Sequence, residues 1–212
     1  MKDIAIFGVG GFGREVLTLV HDINKVAPTY NIIGFFDDGH ECGEMVNGYP
    51  VLGKTEDLNH WPTELCLAIA VGNPQIKRQI IQKITNPKLS FPTLIHPTVI
   101  IGDQAFVKIG DGCIICAACI LTTNIQLGDF IILNLACTVG HDCVIGDYVS
   151  VMPSVNISGE VVMEEEVYVG TGAKIINQLS IGRASKIGAG AVVIKSLPEN
   201  CTAVGVPAVV IK

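Results

Sequence analysis

An apolar side chain recurs at every sixth position through most of the second half of this chain. From Ile115 to Val193, all fourteen positions of the series are aliphatic residues or Met. An α-helix repeats at about 3.6 residues and a simple strand at about two, so neither explains a period of six. A second series of small or apolar residues, four positions later in each hexad, runs from Cys119 to Leu197. Two inward positions per hexad predict a short strand that then turns a corner.

Glycines that follow the repeat residue set the length of one complete coil. Gly128 and Gly146 are 18 residues apart, as are Gly170 and Gly188. Three hexads therefore make one coil, and successive corners stack upon one another. This arrangement predicts a triangular parallel β-solenoid, the hexapeptide β-helix.

The start of the solenoid requires one irregularity. Ile101 and Val107 are six residues apart, but the step from Val107 to Ile115 is eight residues. We expect a two-residue insertion around residues 110–112. The solenoid should then run from about residue 95 to residue 197, which corresponds to roughly five to six coils.

The first 90 or so residues follow a different pattern. Residues 3–8 predict a buried strand, the GxGxxG sequence of residues 8–13 follows it, and a helix opens there. Further strands are expected at residues 31–36 and 65–71, and a second helix should begin at Pro74. This βαβ order predicts a small parallel sheet. The fold class is therefore an α/β half-Rossmann domain, residues 1–94, followed by a β-helix domain, residues 95–212.

The glycine loop is the first candidate binding site. It should lie at the carboxyl end of the first strand, where open α/β sheets bind ligands, and Asp37 should lie at the tip of the second strand. A domain this short has no room for the second βαβ half of a dinucleotide site. One nucleotide or one nucleotide-linked sugar fits better. The alternative is that the glycines only permit tight packing between helix and sheet.

Composition excludes several classes of protein. Hydrophobic residues make up 49% of the chain and charged residues only 16%, which excludes intrinsic disorder. The formal net charge of −6 argues against nucleic acid as a partner. No apolar run is long enough for a membrane span, and the first residues lack the apolar core of a signal peptide. We therefore expect a cytoplasmic protein.

Eight cysteines raise the question of a metal site. Cys113, Cys116 and Cys119 form a CxxCxxC run whose spacing resembles that of metal ligands. However, Cys119, Cys137 and Cys143 all occupy the small inward position of the hexad. No histidine lies near the run to complete a zinc site. We interpret these cysteines as small core residues and expect no metal.

Several motifs together resemble one family. The segments IAIFGVGGFGREV, FFDDG, AVGN, IHPTVIIG, VGHDCVIGDY and AVGVPA, spread over nearly the whole chain, are similar to those of NeuD/PglD-type sugar acyltransferases. These proteins belong to the hexapeptide-repeat superfamily, whose solenoid is a left-handed β-helix. The resemblance implies a homotrimer that uses acetyl-CoA to acetylate an amino or hydroxyl group of a sugar or nucleotide-sugar.

The resemblance also implies a general base. In the family it is the histidine of the GH(D/E)C segment, assisted by the acid that follows, and the matching residues here are His141 and Asp142. Independently, His141 is the only one of five histidines inside the regular repeat, and an imidazole with a pKa near 6.5 suits proton removal at neutral pH. The carboxylate is one methylene shorter than the glutamate of some members. His96, at the domain junction, is expected to shape a turn.

Positional matches to the family suggest further site residues. For the coenzyme channel they are Ser150, Gly159, Thr171 and Ala189, and backbone amides near Gly159 could meet the acyl oxygen. For the acceptor sugar or its nucleotide they are Gly10, Gly11, Phe12, Asp37, Asp38, Gly72 and Asn73. Phe12 departs from members that carry a histidine at this place.

Charge patterning suggests where the phosphates of coenzyme A would lie. No Lys or Arg occurs between Lys108 and Lys174, so this side of the prism suits burial against neighbouring subunits. Cations then return, at Lys174, Arg183, Lys186 and Lys195. We expect this basic group, Arg183 and Lys186 in particular, to bind the phosphates. The alternative is that these are ordinary solvated side chains.

Two other functions compete with acetyl transfer. A γ-class carbonic anhydrase is also a trimeric β-helix, but it needs three zinc-binding histidines and the repeat offers one. A non-catalytic scaffold that binds a sugar nucleotide would keep the fold without the chemistry. The intact pair of His141 and Asp142 argues against that second alternative.

Overall fold

The computed structural model describes residues 1–212 and begins with an α/β domain. Its elements are β1 (Lys2–Phe7), α1 (Gly11–Val26), β2 (Tyr30–Phe36), β3 (Met45–Val46), β4 (Tyr49–Gly53), α2 (Thr55–Asn59), β5 (Leu65–Ile69), α3 (Pro74–Lys83) and β6 (Leu89–Ser90). The strand order in the sheet is β3-β4-β2-β1-β5-β6, and all pairs except the β3–β4 hairpin are parallel. The predicted small parallel sheet is confirmed.

Hydrophobic burial explains why β1 lies at the centre. Residues 4–7 of β1 are all buried, as are all five residues of β5, so both strands are covered on their two faces. α1 buries one stripe against the sheet, which includes Val16, Leu17 and Val20. α3 begins where Asn73 caps it, because the Asn73 side chain accepts hydrogen bonds from the backbone N–H groups of Gln75 and Ile76.

The remainder of the chain is a stack of very short strands. They are β7 (Leu94–Ile95), β8 (Ile100–Ile101), β9 (Val107–Ile109), β10 (Ile114–Ile115), β11 (Ile120–Leu121), β12 (Ile125–Leu127), β13 (Ile132–Leu133), β14 (Thr138–Val139), β15 (Val144–Ile145), β16 (Ser150–Val151), β17 (Asn156–Ile157), β18 (Val162–Met163), β19 (Tyr168–Val169), β20 (Lys174–Ile175), β21 (Ser180–Ile181), β22 (Lys186–Ile187), β23 (Val192–Val193), β24 (Thr202–Val204) and β25 (Val209–Val210). A 3₁₀ turn spans Gln104–Phe106.

These strands form the three faces of a prism. The first face is β25-β24-β22-β19-β16-β13-β10-β7, the second is β23-β20-β17-β14-β11-β8 and the third is β21-β18-β15-β12-β9. Leu133 pairs with Val151 and Val139 with Ile157, so one coil is 18 residues. All fourteen residues of the six-residue series are at most 5% exposed. The predicted left-handed parallel β-helix is confirmed.

The corners between faces share one backbone conformation. We name as the first corner the turns from the first to the second face, as the second those from the second to the third, and as the third those back to the first. The third residue of each turn has a positive φ, at every sixth position from Gly112 to Gly190, and most of these residues are not glycine. An L residue in this conformation costs roughly 1–2 kcal/mol, and coil-to-coil hydrogen bonds compensate. Asp142 is one of them, with φ 58°, and its N–H donates to Thr123 O in the coil before.

The glycine that follows the repeat residue serves close packing between coils. At Gly146 an added Cβ would lie 2.8 Å from the N atom of Glu165, and at Gly170 it would lie 2.6 Å from that of Ala189. Neither glycine has a positive φ. These residues are therefore required because successive corners approach closely, not because the turn needs their conformational freedom.

The predicted position of the insertion is wrong. Ile109 pairs with Leu127 at a spacing of 18, whereas Ile101 pairs with Leu121 at a spacing of 20. The extra two residues therefore lie between Ile101 and Ile109, where the 3₁₀ turn Gln104–Phe106 takes them up. The true repeat residue is Ile109, which precedes Ile115 by six residues, and Val107 is the residue at the other end of the same strand.

The interpretation of the cysteines as core residues is confirmed. Cys113, Cys119, Cys137 and Cys143 are at most 1% exposed, inside the prism, and Cys116 is buried beneath the α/β domain. Burial raises the pKa of the Cys113 thiol to about 11 and that of Cys116 to about 12. These sulfurs therefore stay protonated near neutral pH and contribute as small hydrophobic groups.

The α/β domain covers the first face of the β-helix. Ile114, Ile132 and Ser150 on this face are at most 1% exposed, and Ile114 and Ile132 share a hydrophobic cluster with the sheet. Lys77 of α3 is also buried, and its Nζ donates to Ser150 Oγ at 3.0 Å. β7 already pairs with β10 of the β-helix, and the boundary between residues 94 and 95 stays a prediction.

A polar contact closes the junction between the domains. His96 Nε2 lies 3.2 Å from Asp22 Oδ2 of α1, and His96 Nδ1 lies 2.8 Å from Thr98 Oγ1. Hydrogen bonds from Lys25 and then His96 lower the pKa of Asp22. His96 thus ties α1 to the turn that enters the β-helix. None of the helices has the length and apolar character that a membrane crossing needs.

Candidate active site

The predicted catalytic pair lies at the second corner, on the outside of the prism. After β14 the chain turns through residues 140–142, and Gly140 is required because a Cβ there would lie 2.6 Å from the N atom of Gly159. His141 occupies the middle of this turn and Asp142 its third position. Both side chains are about half exposed, at 56% and 49%. The turn therefore presents both groups to a ligand.

The contacts of this pair define which nitrogen can act as a base. His141 Nδ1 lies 2.7 Å from Asp142 Oδ2, and Asn124 Nδ2 donates to Asp142 Oδ1 at 3.0 Å from the coil before. Hydrogen bonds from His141 and then Asn124 lower the pKa of Asp142, so it is ionised near neutral pH. A carboxylate only accepts, so Nδ1 carries the hydrogen and Nε2 is left free to take a proton.

Gly159 lies against this imidazole in the next coil. A Cβ at residue 159 would lie 2.5 Å from both Nε2 and Cε1 of His141. Any side chain there would displace the ring. The absence of a side chain at residue 159 therefore allows the imidazole to lie against the next coil.

Two other predicted coenzyme residues lie at a different corner. Thr171 and Ala189 are exposed and stand one coil apart at the first corner. The second face separates this corner from the one that carries His141. Within one chain the structure does not bring these residues together with His141.

Ser150 does not fit its predicted role in the coenzyme channel. It is fully buried on the first face, under α3, and its hydroxyl accepts the hydrogen bond from Lys77. The family match placed it correctly in the repeat but gave no information on the domain that covers it. A direct contact between Ser150 and a coenzyme is incompatible with this structure.

The four cations that were predicted to form one basic group do not lie together within one chain. Lys174 lies on the second face, Arg183 at the third corner, Lys186 on the first face and Lys195 at the second corner. These residues occupy four different positions within the 18-residue coil, so they point away from different sides of the prism. Arg183 is moreover paired with acids, since its Nε lies 3.1 Å from Glu165 Oε1. Within one chain Arg183 and Lys186 therefore do not form a shared phosphate site, and their binding to coenzyme A stays a prediction.

The predicted acceptor residues do converge on the carboxyl edge of the α/β sheet. Gly10 and Gly11 follow β1, Asp37 and Asp38 follow β2, and Gly72 and Asn73 follow β5.

The glycine loop itself has two kinds of glycine. An added Cβ at Gly10 or Gly11 would meet nothing within 4 Å, whereas at Gly13 it would collide with Gly8 O. The explanation by tight packing therefore holds for Gly13, and also for Gly8, which has a φ of 107° and where an added Cβ would lie 3.0 Å from Ala70 O. Gly10 and Gly11 leave the loop backbone open towards a ligand, while Phe12 is partly buried against the core.

The two aspartates after β2 already have partners within the protein. Asp37 Oδ2 accepts from Val9 N at 3.0 Å, and its Oδ1 accepts from Gly39 N at 2.8 Å. Asp38 Oδ1 accepts from both Thr55 N and Thr55 Oγ1 at 2.8 Å, at the start of α2. The Asp38 carboxylate thus holds α2 in place, and its direct binding to the acceptor stays a prediction.

Gly72 and Asn73, which are predicted to bind the acceptor, lie near Lys186, which is predicted to bind coenzyme A. Together with Lys186 they line a cavity of about 430 Å³ between α3 and the first face. Here the first face emerges from under the α/β domain, and its outward residues change from buried Ser150 to Tyr168 and exposed Lys186. The Asn73 carbonyl oxygen is already used to cap α3.

The sequence did not identify three residues at these sites. Asn124 supports Asp142 from one coil away, and Arg14 and His40 line a cavity beside the glycine loop. The 18-residue spacing between Asn124 and Asp142 was a usable signal, since residues at that spacing stack. For His40 no such signal existed, because its partner depends on how the loop after β2 closes.

Comparison with known proteins identifies the family. The model described as "PglD N-terminal domain" matches residues 3–84. The structure superposes on the acetyltransferase domain of PglB from Neisseria gonorrhoeae FA1090 with a TM-score of 0.90 and 33% identity, covering 100% of both chains. The chain belongs to the NeuD/PglD-type sugar acyltransferases.

Other members carry names that describe their ligands. PerB from Caulobacter crescentus, in complex with CoA and GDP-perosamine, has a TM-score of 0.88 and 26% identity, and the match covers 100% of this chain and 98% of that chain. UDP-N-acetylbacillosamine N-acetyltransferase from Bacillus subtilis (strain 168) is 35% identical over 120 residues, 55% of this chain and 52% of that protein. The aligned part is therefore about half the length of this curated relative.

Proposed function

We propose that this protein transfers the acetyl group of acetyl-CoA to the amine of a nucleotide-linked amino sugar, with His141 as the general base. The sequence alone left the choice between amine and hydroxyl open. The relatives named N-acetyltransferases favour the amine, and the PglB domain has a structure in complex with acetyl coenzyme A. The fold, the family and the position of His141 all support the same reaction class.

One observation carries the proposal: Asp142 holds His141 by Nδ1 while Nε2 remains free beside a glycine. The 2.7 Å contact fixes the ring and its tautomer, and the ionised carboxylate stabilises the imidazolium that forms when Nε2 takes a proton. Gly159 allows the ring to lie in this position, because any side chain there would collide with it.

The reaction then balances in two steps. The amine nitrogen attacks the thioester carbonyl carbon, a C–N bond forms, and the nitrogen's proton passes to His141 Nε2. The tetrahedral intermediate then collapses, the C–S bond breaks, and the imidazolium returns the proton to the thiolate of coenzyme A. The N–H of Gly159, which donates to no backbone carbonyl, is a candidate donor to the acyl oxygen.

A homotrimer would complete this site. A base that is 56% exposed in one chain has no shield from water, and the second and third faces carry exposed apolar residues such as Ile120, Val144 and Val162. We infer that a neighbouring prism covers them, with the first corner of one protomer beside the second corner of the next. Thr171 and Ala189 of one protomer would then line the coenzyme groove next to His141 of another.

The function is tested by release of coenzyme A thiol from acetyl-CoA. We would supply UDP-, GDP- and dTDP-linked amino sugars, each with its hydroxyl analogue as a control, and identify the product by mass spectrometry. We expect thiol release with at least one amino sugar and none with its hydroxyl analogue. Binding of nucleotide sugars without any turnover would instead support the non-catalytic scaffold.

Oligomeric state is tested separately. Native mass spectrometry should give three times the chain mass, and a charged substitution on the covered faces, Val144→Glu, should reduce that species together with turnover. An active monomer would contradict the shared site.

A further inference from the structure

A second histidine–aspartate pair borders a cavity at the glycine loop. The cavity has a volume of about 420 Å³, and its lining includes Gly10, Arg14, His40 and Glu44. It lies at the carboxyl end of β1, the edge where open α/β sheets bind ligands. Nothing in the proposed chemistry at His141 uses these side chains.

Asp37, at the tip of β2, already has three partners within the protein. Its Oδ2 accepts from Val9 N, and its Oδ1 accepts from Gly39 N and lies 3.0 Å from His40 Nδ1. Burial would raise the pKa of Asp37, but the hydrogen bonds from His40, Val9 and Gly39 outweigh it and lower that pKa. The Asp37 carboxylate is therefore ionised, and its hydrogen-bond partners all belong to the protein.

His40 is the group that this arrangement presents to the cavity. Its Nδ1 is used by Asp37, so Nε2 is the ring nitrogen left for a ligand, and 40% of the side chain is exposed. The hydrogen bond that His40 donates to Asp37, and more weakly the negative charge of Glu44, raise the pKa of His40. The ring therefore carries its positive charge to a higher pH than an isolated histidine does.

Arg14 adds a second cation to the same cavity. It lies in the first turn of α1, is exposed, and forms no ion pair with any carboxylate of the chain. The other charged groups that face His40 are Asp37, which it pairs with, and Glu44. Two cationic side chains that line one cavity, beside an open glycine loop, suit a phosphate group.

We propose that His40 and Arg14 bind the diphosphate of the nucleotide-linked acceptor, and that Asp37 acts only as the positioning residue for His40. The inference deepens the proposed function and rests on it for the identity of the ligand. It gives the two histidines different roles. His141 accepts a proton and returns it, whereas His40 contributes the positive charge that attracts the diphosphate. It also predicts that acceptor binding weakens as the pH rises through the pKa of His40.

Calorimetric binding of nucleotide sugars tests this directly. UDP-glucose, GDP-mannose and dTDP-glucose are suitable probes, because their phosphate diesters do not titrate between pH 6 and 9. For the wild-type protein we expect the affinity of the best probe to fall as the pH rises. His40→Gln should lower the affinity at pH 6 by roughly 10-fold and remove the pH dependence, and Arg14→Gln should lower it at every pH.

Matched variants control for structure. His60→Gln replaces an exposed histidine at the end of α2, and Lys25→Gln an exposed cation at the far end of α1; neither lines the cavity. Both should bind as the wild type does. Asp37→Asn should reduce the pH at which affinity is lost, because the neutral amide no longer favours the imidazolium.

Each outcome decides the inference independently of catalysis. Unchanged affinity and pH dependence in both His40→Gln and Arg14→Gln would overturn it, as would failure of every nucleotide sugar to bind. Loss of pH-dependent binding in His40→Gln supports it even if no acetyl transfer is ever detected. In that case the proposed function fails while the nucleotide site stands.

Discussion

The β-helix and the α/β domain each hold a histidine by an aspartate through Nδ1, at 2.7 Å for His141 and 3.0 Å for His40. The two pairs differ in what else holds the carboxylate. Asp142 has one further partner, the side chain of Asn124, whereas Asp37 also accepts two backbone N–H groups. Backbone donors cannot turn away, so the second pair is the more firmly fixed.

The difference indicates how one pair of residue types can serve two purposes. His141 stands on a projecting corner opposite a glycine, where a reacting group can reach Nε2. His40 stands beside an arginine in a cavity, where a positive charge is useful at all times. Surroundings rather than residue identity separate a base from an anion-binding group.

Removal of His141 should have the largest effect. We expect His141→Ala to lower kcat by about 10²–10⁴-fold, because proton removal from the amine loses its base. Circular dichroism and native mass spectrometry should show an unchanged fold and assembly. The matched control is His60→Ala, and a wild-type kcat for His141→Ala would remove the proposed base.

A side chain at residue 159 should displace the His141 ring without changing either residue of the catalytic pair. In Gly159→Ala the new Cβ would occupy the space 2.5 Å from Nε2, and we expect kcat to fall by about 10²-fold as the ring is displaced. Asn177→Ala, at the same corner one coil further on, should leave kcat unaltered. Equal activity in Gly159→Ala would show that this space is not used.

Replacement of each aspartate by asparagine tests most directly whether the two histidine–aspartate pairs have different roles. Asp142→Asn should lower kcat by roughly 10-fold and shift the pH–rate profile, because the imidazolium loses its ionic partner. Asp37→Asn should leave kcat at saturating acceptor unchanged and raise only the acceptor KM. If both variants altered the same kinetic parameter, the two pairs would not have separate roles.

The contact from Asn124 should contribute less. We expect Asn124→Ala to lower kcat by about threefold, since it removes one neutral donor to Asp142 and leaves the His141 contact in place. Gln178→Ala is the control, because Gln178 makes the corresponding bond to Glu160 two coils further along. A positioning role requires that the pH–rate profile moves in Asn124→Ala and not in the control.

Between the two regions lies a buried amine that should affect stability and not turnover. Burial lowers the pKa of Lys77 to about 7, well below its value in an unfolded chain. The unfolded chain therefore binds more protons between about pH 7 and 10.5, and the free energy of unfolding should rise with pH across that window. Denaturant titrations of Lys77→Met should lose this slope, and those of Lys83→Met, at the exposed end of α3, should keep it.

The periodicity of the sequence was sufficient for the architecture and insufficient for its one irregularity. The hexad series predicts the faces, the coil length and the burial of the cysteines. It fails before Ile115, because Val107 and Ile109 are both apolar and only one can be the repeat residue. Pairing with the next coil decides between them, and a pattern within one strand contains no information about its neighbour.

The site was predictable where it depends on the coil and not where it depends on loops or the other domain. His141 stands out because it is the only histidine inside the regular repeat. The repeat alone does not indicate that α3 covers Ser150 or that the acidic side chains of the corner pair with Arg183. The contact between Asp37 and His40 was not predictable, because it depends on how the loop after β2 folds back. Spacing in the sequence does not indicate this.

The 18-residue coil has a consequence for how distant parts of the sequence meet. Adjacent coils are separated by the distance between paired strands, about 4.8 Å, and His141 and Gly159 occupy neighbouring levels of the same edge. Insertion or deletion of one residue between these two positions would shift the register of the coil. The residue opposite the imidazole would then no longer be the glycine.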